Sequence, residues 1–348
     1  MSKQSHIERT AHEPRDSSLH TLTISSITQI TPTLRVFQLQ IPQDESITFL
    51  PGQWVDLYPP PQANVPKPGG FTITSSPTLA LPPTSQRNPT TTSLSSFFSP
   101  GPGPGPGPTQ PYIELAIQCS PHNPPAAYLF LPAAQLLHTP VQVRIGGSFV
   151  FPPPPPSHPA SHTITPGTLR KLVFVAGGMG INPLMSMLSF IGEPQLEETW
   201  WWRDCEVRVL YSVRDPRGNG GGALGGAGAA ARDGDHGILF LDRIVELFET
   251  GRVRGGLELF LTGGGLSATS DGAEETDGVV RCSSGTDVPF SRRRMTVRDV
   301  ERTVGGDKES ALVYVCGIPA MTDEFVDALT SPGGMEMDKS RVLFEKWW

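Results

Sequence analysis

The segment Leu172-Val-Phe-Val-Ala-Gly-Gly-Met-Gly-Ile-Asn-Pro-Leu184 carries the clearest chemical signal in this 348-residue chain. A run of β-forming residues breaks into Gly177, Gly178 and Gly180. It then passes through Asn182 and Pro183 into an apolar pattern of helical period. The run predicts a buried parallel strand, and the glycines a tight turn that a ligand can approach closely. Asn182 is expected at the helix N-cap and Pro183 at the first helical position. Such a turn aims free N–H groups and a positive dipole end at an anion, typically a dinucleotide pyrophosphate. The same glycines also suit a purely structural turn.

Ala311-Leu-Val-Tyr-Val-Cys-Gly-Ile-Pro-Ala-Met321 repeats the order strand, sharp turn, helix, with Met321, Phe325 and Leu329 on one helical face. Cys316 and Gly317 are expected at the carboxyl end of a parallel strand, where open α/β sheets bind ligands. Alone, Cys316 reads equally as a small buried apolar residue. Two such turns on one rim of one sheet favour a ligand site.

These turns need a frame. After Gly167, strands and helices alternate, as a parallel sheet requires. The strands are expected at Lys171–Ala176, Glu206–Ser212, Leu257–Thr262, Ala311–Cys316 and a short Arg341–Phe344. The helices fall near Asn182–Ile191, Leu239–Thr250, Thr296–Thr303 and Ala320–Leu329. Insertions at 216–237 and 263–294 are expected outside the packed core.

The preceding half, 19–151, holds short β-rich pieces at hairpin spacing: Leu22–Ile30, Thr33–Gln40, Trp54–Tyr58, Phe71–Ser75, Ile113–Gln118 and Val141–Ile145. That pattern favours a small antiparallel barrel. A Gly/Pro-rich insertion, 79–111, ends in alternating glycine and proline and reads as a solvated loop. Five prolines, Pro152 to Pro156, open a semi-rigid linker at 152–168. Residues 1–18 read as a disordered, mobile tail.

The length allows two ordinary domains. A net charge of −7 gives no electrostatic support to nucleic-acid or anionic-membrane binding. The four cysteines, Cys119, Cys205, Cys282 and Cys316, are dispersed, so neither a metal cage nor a disulfide framework is expected. No iron–sulfur spacing occurs, so a one-electron partner must be a separate molecule. No apolar run approaches the roughly 20 residues of a membrane span. The first residues mix Arg9 and Arg15 with Glu8, Glu13 and Asp16, a poor transit peptide.

The motifs GGMGINP and CGIPAM, with Leu50-Pro-Gly-Gln-Trp-Val55 and Gly69-Gly-Phe-Thr-Ile-Thr-Ser-Ser-Pro77 upstream, resemble those of the ferredoxin–NADP reductase superfamily. The ending Phe344-Glu-Lys-Trp-Trp348 and the GGF-T-I-T-SSP variant narrow the resemblance to one branch. It covers roughly Leu19 to Trp348, and four motifs in order make it specific. It implies an antiparallel Greek-key flavin-binding barrel followed by a parallel-sheet, Rossmann-like nicotinamide-binding domain (169–348). The implied cofactor is FAD, with FMN as the alternative. NAD(P)H is the implied co-substrate, NADH favoured, and electrons leave to a separate acceptor, a small molecule or a redox protein. The branch implies a mitochondrial location, against a cytoplasmic alternative from the N-terminus.

The resemblance also implies site residues. Phe71, Thr72, Ile73 and Thr74 line the flavin, with Phe71 packing on the ring and the Thr72 hydroxyl near its reactive nitrogen. Gly177, Gly178, Gly180, Ile181, Asn182 and Pro183 hold the nicotinamide dinucleotide, Cys316 and Gly317 position its ring, and Met321 packs beneath. Trp347 and Trp348 resemble an aromatic lid, and Glu345 an acidic neighbour that relays protons; Thr72, Cys316 and Glu345 are the implied catalytic group. Hydride transfer needs near-contact, about 3–3.5 Å, so positioning is the protein's main contribution.

Other readings stand beside these. Phe71–Thr74 also suits an ordinary strand, Trp54 a core aromatic, and the terminal tryptophans a packing plug. Gly146-Gly-Ser-Phe149 suits a turn closing the barrel. Arg214, after Tyr211 and Ser212, and Arg292–Arg294 suit either a ribose 2′-phosphate or a solvated charge run.

The chain departs from the superfamily at the flavin phosphates. Gly69 stands where the motif has arginine, and Asn123-Pro-Pro-Ala-Ala-Tyr128 lacks the usual glycine and serine. Losing one such arginine contact costs about 1.5–3 kcal/mol. His122 and Arg144 are the compensating candidates. The expected function is therefore a flavin-dependent NAD(P)H oxidoreductase. The alternative is a non-catalytic dinucleotide-binding sensor or partner subunit that has lost tight flavin binding.

Overall fold

A computed structural model describes residues 6–82, 110–154, 168–194, 201–217, 236–263 and 278–347. The chain divides into two compact units, the first holding residues 1–29, 33–152 and 193–196, the second holding 30–32, 153–192 and 197–348. Most of the linker, of the Gly/Pro-rich insertion and of the 216–237 insertion lies outside the described residues.

The first unit is built on six strands: β1 (His20–Thr31), β2 (Leu34–Gln40), β3 (Trp54–Tyr58), β4 (Gly69–Thr72), β5 (Tyr112–Gln118) and β6 (Pro140–Gly146). Their order is β4-β3-β6-β1-β2-β5, all antiparallel. An Ile73–Leu115 bridge joins the two outer strands and closes the sheet. Residues of period two supply the core, among them Leu22 and Ile24, Phe37 and Leu39, Val55 and Leu57, Val141 and Val143. β4 stops at Thr72 rather than continuing to Ser75. The chain there crosses to β5, where Thr74 N–H donates to the Glu114 carbonyl at 2.8 Å. Short helices α1 (His6–Arg9), α2 (Pro124–Tyr128) and α3 (Ala133–Leu136) complete the unit.

The expected mobile tail is corrected for residues 6–18, which pack on β3 and β6. Asp56 in β3 is fully buried, and a buried carboxylate demands partners. His6 Nε2 lies 3.0 Å from one oxygen. Arg15 Nε (2.9 Å) and Arg144 Nη2 (2.8 Å) share the other. Arg15 also stacks over Trp54, and the His6 imidazole meets Trp54 edge-on at 4.8 Å. Trp54 is therefore a core aromatic, and it closes against Gly146 and Gly147.

The second unit carries a seven-stranded sheet: β7 (Lys171–Gly177), β8 (Glu206–Arg214), β9 (Gly255–Thr262), β10 (Gly278–Arg281), β11 (Asp287–Ser291), β12 (Ala311–Gly317) and β13 (Val342–Lys346). The order is β10-β11-β9-β8-β7-β12-β13, parallel except for β10 against β11. Helices α4 (Ile181–Ile191), α5 (Leu241–Glu249), α6 (Val297–Val304) and α7 (Pro319–Thr330) connect it. Every residue of β12 is buried, which explains its uninterrupted apolar run. On one face, Val173, Val175, Val313 and Val315 pack with Val300 and Val304 of α6 and Phe325 and Leu329 of α7. Strand order reverses between β7 and β12: the chain runs β7, β8, β9 to one side, then returns to β7's other flank. Open α/β sheets bind ligands at that switch point.

The expected exclusion of 263–294 from the core is also corrected. Residues 264–277 lie outside the described residues, but β10 and β11 extend the sheet and bury Val280, Cys282, Val288 and Phe290. No helix among the described residues is long and apolar enough to cross a membrane.

Three donor side chains hold the Asp56 carboxyl down. Burial pushes its pKa up, but hydrogen bonds from His6, Arg144 and Arg15 outweigh that and lower it from 3.8 to about 2. Its contribution is therefore complete above the ordinary value and lost as pH falls toward 2. Asp56→Ala, which strands buried cations, is expected to cost about 3–5 kcal/mol at pH 7. Urea titrations of both proteins check this, the difference shrinking as pH falls through the 4-to-2 window.

Candidate functional site

At the switch point, the two glycine-containing turns abut. Gly178–Gly180 form a 3-10 turn that feeds directly into α4. A β-carbon on Gly180 would lie 2.1 Å from the Cys316 carbonyl oxygen, so only glycine fits. β-Carbons on Gly177 and Gly317 would strike the Met321 thioether at 2.7 and 2.5 Å. Met321 thus caps the point where the two backbones meet. Gly178 differs: its φ is +53° and the space beside its α-carbon is open. The turn is closed toward β12 and open above Gly178, as close backbone approach by a ligand requires.

The expected cap is corrected in one respect. Gly180, already in helical conformation, holds the N-cap position, and Asn182 and Pro183 lie inside the first turn, both buried. The 3-10 turn starts helical geometry before Asn182, so no extended residue remains for it to cap. Ile181 is buried beside them.

Cys316 is fully buried. In the β12–β13 register it sits opposite Glu345, so the two side chains share a face. Burial, then the Glu345 carboxylate, push the Cys316 thiol well up; the Trp347 indole, within hydrogen-bonding reach of its sulfur, opposes them. Trp347 is anchored twice: its backbone N–H donates to the Gly317 carbonyl at 2.8 Å, its indole N–H to Glu345 at 3.0 Å. Cys316, Glu345 and Trp347 therefore form one cluster beside the glycine turn. Trp348 lies outside the described residues.

Further along the rim, Ser212 pairs with Gly177, Tyr211 is buried, and Arg214 is exposed at the end of β8. Of the arginine run, Arg293 is engaged by Asp299 through two hydrogen bonds of 2.7 and 2.8 Å, fastening the start of α6.

In the first unit the flavin candidates are buried. The Phe71 ring belongs to the barrel core and packs against Gly69 and Pro125. Ile73 is fully buried, Thr72 nearly so, and the Thr74 hydroxyl donates to Glu114 Oε1 at 2.8 Å. The two phosphate positions do not fit a flavin diphosphate. A β-carbon at Gly69 would lie 2.7–2.8 Å from the Phe71 ring and Pro125. At α2, Pro124 and Pro125 have no N–H, Asn123 Oδ1 accepts from Ala126 at 3.5 Å, and the Asn123 carbonyl accepts from Ala127 at 2.9 Å. Of the compensating candidates, Arg144 is spent on Asp56, and His122 is exposed. Glu193, which sequence reasoning missed, accepts hydrogen bonds from Ser76 and Thr78, with burial raising its pKa.

Among the described residues, His236, Asp242 and Cys282 bring one ligand atom each within 4.8 Å of one another. The bond pattern argues for a hydrogen-bonded cluster. His236 Nδ1 accepts the Ile238 N–H at 3.0 Å, which leaves the ring proton on Nε2, 3.3 Å from Asp242. A metal at Nε2 would need that proton gone.

No protein-family model matches the chain. Over 346 residues, 99% of this chain, it is 28% identical to "Oxidoreductase NAD-binding domain-containing protein 1" of Xenopus laevis, covering 84% of that protein. The Homo sapiens protein of that name is 26% identical over 349 residues, with 99% and 85% covered. Among solved structures, the CS-b5R domains of human Ncb5or in the NAD+ form align with TM-score 0.56 and 16% identity, covering 94% of this chain and 69% of that one. The cytochrome b5 reductase domain of Ulva prolifera nitrate reductase aligns with TM-score 0.53 and 12% identity, covering 94% and 97%. At such identities they show the fold alone, that of ferredoxin reductase-type flavin- and nicotinamide-binding proteins.

Two outcomes are expected from this geometry. Gly180→Ala should cost about 1–3 kcal/mol or more, because the Cys316 backbone must move; a thermal melt reads it as a lowered Tm. A thiol-reactive chromophore should label Cys119 fast and the other three slowly in the folded protein. Cys205, Cys282 and Cys316 are buried, and burial foremost pushes the first two thiols up to about 11 and 12. The branch narrowed down from the GGF variant and the aromatic ending is thus the one its full-length relatives carry, and it is to the proteins named "Oxidoreductase NAD-binding domain-containing protein 1" that this whole chain is similar.

Proposed function

We propose that the chain is an NAD(P)H-dependent oxidoreductase of the flavin-linked reductase type, with the second unit binding and orienting the nicotinamide dinucleotide. The observation that carries this reading is the contact of Gly180 with the Cys316 carbonyl, which fuses two βα turns into one rim at the switch point. The dinucleotide pyrophosphate belongs over Gly178, where the backbone is open, at the positive N-terminal end of α4. The nicotinamide belongs on the β12 side, beside Gly317 and above Met321. Cys316 stays a neutral thiol at ordinary pH because its pKa is raised, so it positions the ring by packing and makes no covalent bond. Trp347 covers that sulfur, and its indole must swing aside for a ring to take its place. Glu345, which accepts the indole N–H, then presents that carboxylate oxygen to the ring, the place for a transferred proton.

A flavin, when bound, would supply acceptance of two electrons and their onward release to a separate small-molecule or protein acceptor. Gly69 and the prolines of α2 argue that it is not gripped by its diphosphate, so we read it as exchangeable. The same residues favour a second reading, a dinucleotide-binding sensor or partner subunit without flavin chemistry.

Visible spectroscopy of the full chain with added FAD or FMN separates the two. The oxidoreductase reading expects flavin absorbance to bleach under anaerobic NAD(P)H at a rate that saturates with protein. Flavin that stays oxidised, while the nicotinamide nucleotide still binds, would favour the second.

A further inference from the structure

The rim that receives the adenosine half is more cationic than the sequence suggests. A dinucleotide with its pyrophosphate over β7 and its nicotinamide toward β12 must lay its adenosine ribose the other way, over the ends of β8 and β9. A free carboxylate there would accept the ribose 2′-hydroxyl and repel a 2′-phosphate. The chain does place an acid there, Asp215, directly after β8, with its N–H bonded to the Thr262 carbonyl at 2.8 Å. That acid is only 4% exposed.

Both of its oxygens are occupied. Arg217 takes one through Nε (2.9 Å) and its own backbone N–H (3.0 Å), and the other through Nη2 (3.1 Å). Arg292, from the end of β11, adds a contact of 3.4 Å. Both guanidinium groups stack on buried Phe290, their centres 5.4 and 5.2 Å from the ring. Asp215 and Phe290 thus fix two forks, each still about a third exposed, and the Nη1 of Arg217 takes no part in its bonds to Asp215. Arg214, the preceding residue, is exposed, and no ion pair of its side chain is found among the described residues. Two guanidinium groups pair with this one buried carboxylate, and Arg214 carries a further positive charge one residue before it.

Resting on the dinucleotide reading above, we infer that this rim selects a 2′-phosphorylated nucleotide, NADPH over NADH, with Arg214 and Arg217 as the specificity-determining residues and Asp215 as the group that aims Arg217. The dianionic phosphate suits a rim with more guanidinium than carboxylate groups, and the planar Arg217 fork, held at two points, binds its oxygens with little further ordering. The inference reverses the expectation that NADH is favoured.

Calorimetric titration of the full chain with ADP-ribose and with 2′-phospho-ADP-ribose tests this without flavin or turnover. The 2′-phosphorylated ligand is expected to bind roughly ten- to a hundredfold more tightly. The ratio should shrink as salt rises. Arg214→Ala and Arg217→Ala should each reduce it by about tenfold; Arg214 is exposed, so its variant tests contact without risk to folding. Equal affinities, or tighter binding of ADP-ribose, would overturn the selectivity and leave dinucleotide binding standing. Binding of neither ligand would overturn both.

Discussion

The second unit is built around the approach of Gly180 to the Cys316 carbonyl, a contact that any β-carbon would block. It brings β7 and β12 to one rim and leaves no room for a side chain between their turns. Met321 seals the pair from the α7 side, and the space beside Gly178 stays open. Everything proposed for the nucleotide follows from this asymmetry. Its phosphates need the open glycine, its nicotinamide the β12 side, and its adenosine the β8 side.

The first unit is organised around a different cost, a carboxylate with no exposure. Asp56 lies inside an apolar strand, and three donor side chains, two from the N-terminal segment, converge on it. This draws the segment onto the barrel and uses Arg144, one of the two compensating candidates for the flavin phosphates. Together with the tight packing around Gly69, it makes this barrel stable without a phosphate grip. The likeness to reductases therefore extends to the fold of both units but not to every contact that a bound FAD would demand.

Much of this was legible in the sequence, for identifiable reasons. The strand–glycine–helix segment and the run Ala311–Cys316 announce themselves because burial on both faces removes polar residues. The β10–β11 pair does not, since its strands are short, half-polar and near an edge, so Gly278–Arg281 resembles a loop. The N-terminal segment reads as a tail because it is polar. The available signal was the acid within Trp54-Val-Asp-Leu-Tyr58, which has to find partners. Asn182 was misplaced because a 3-10 turn begins the helix early. The Asp215–Arg217–Arg292 arrangement joins residues far apart in sequence, and only β11 brings them together.

The central claim, that a nicotinamide dinucleotide seats on this rim, is tested most directly by hydrogen–deuterium exchange with and without NADP+. Protection is expected in peptides spanning Gly177–Pro183, Ser212–Arg217 and Cys316–Ile318, with barrel peptides unchanged. Binding that protects other segments and leaves the Gly177–Pro183 amides exchanging freely would contradict it.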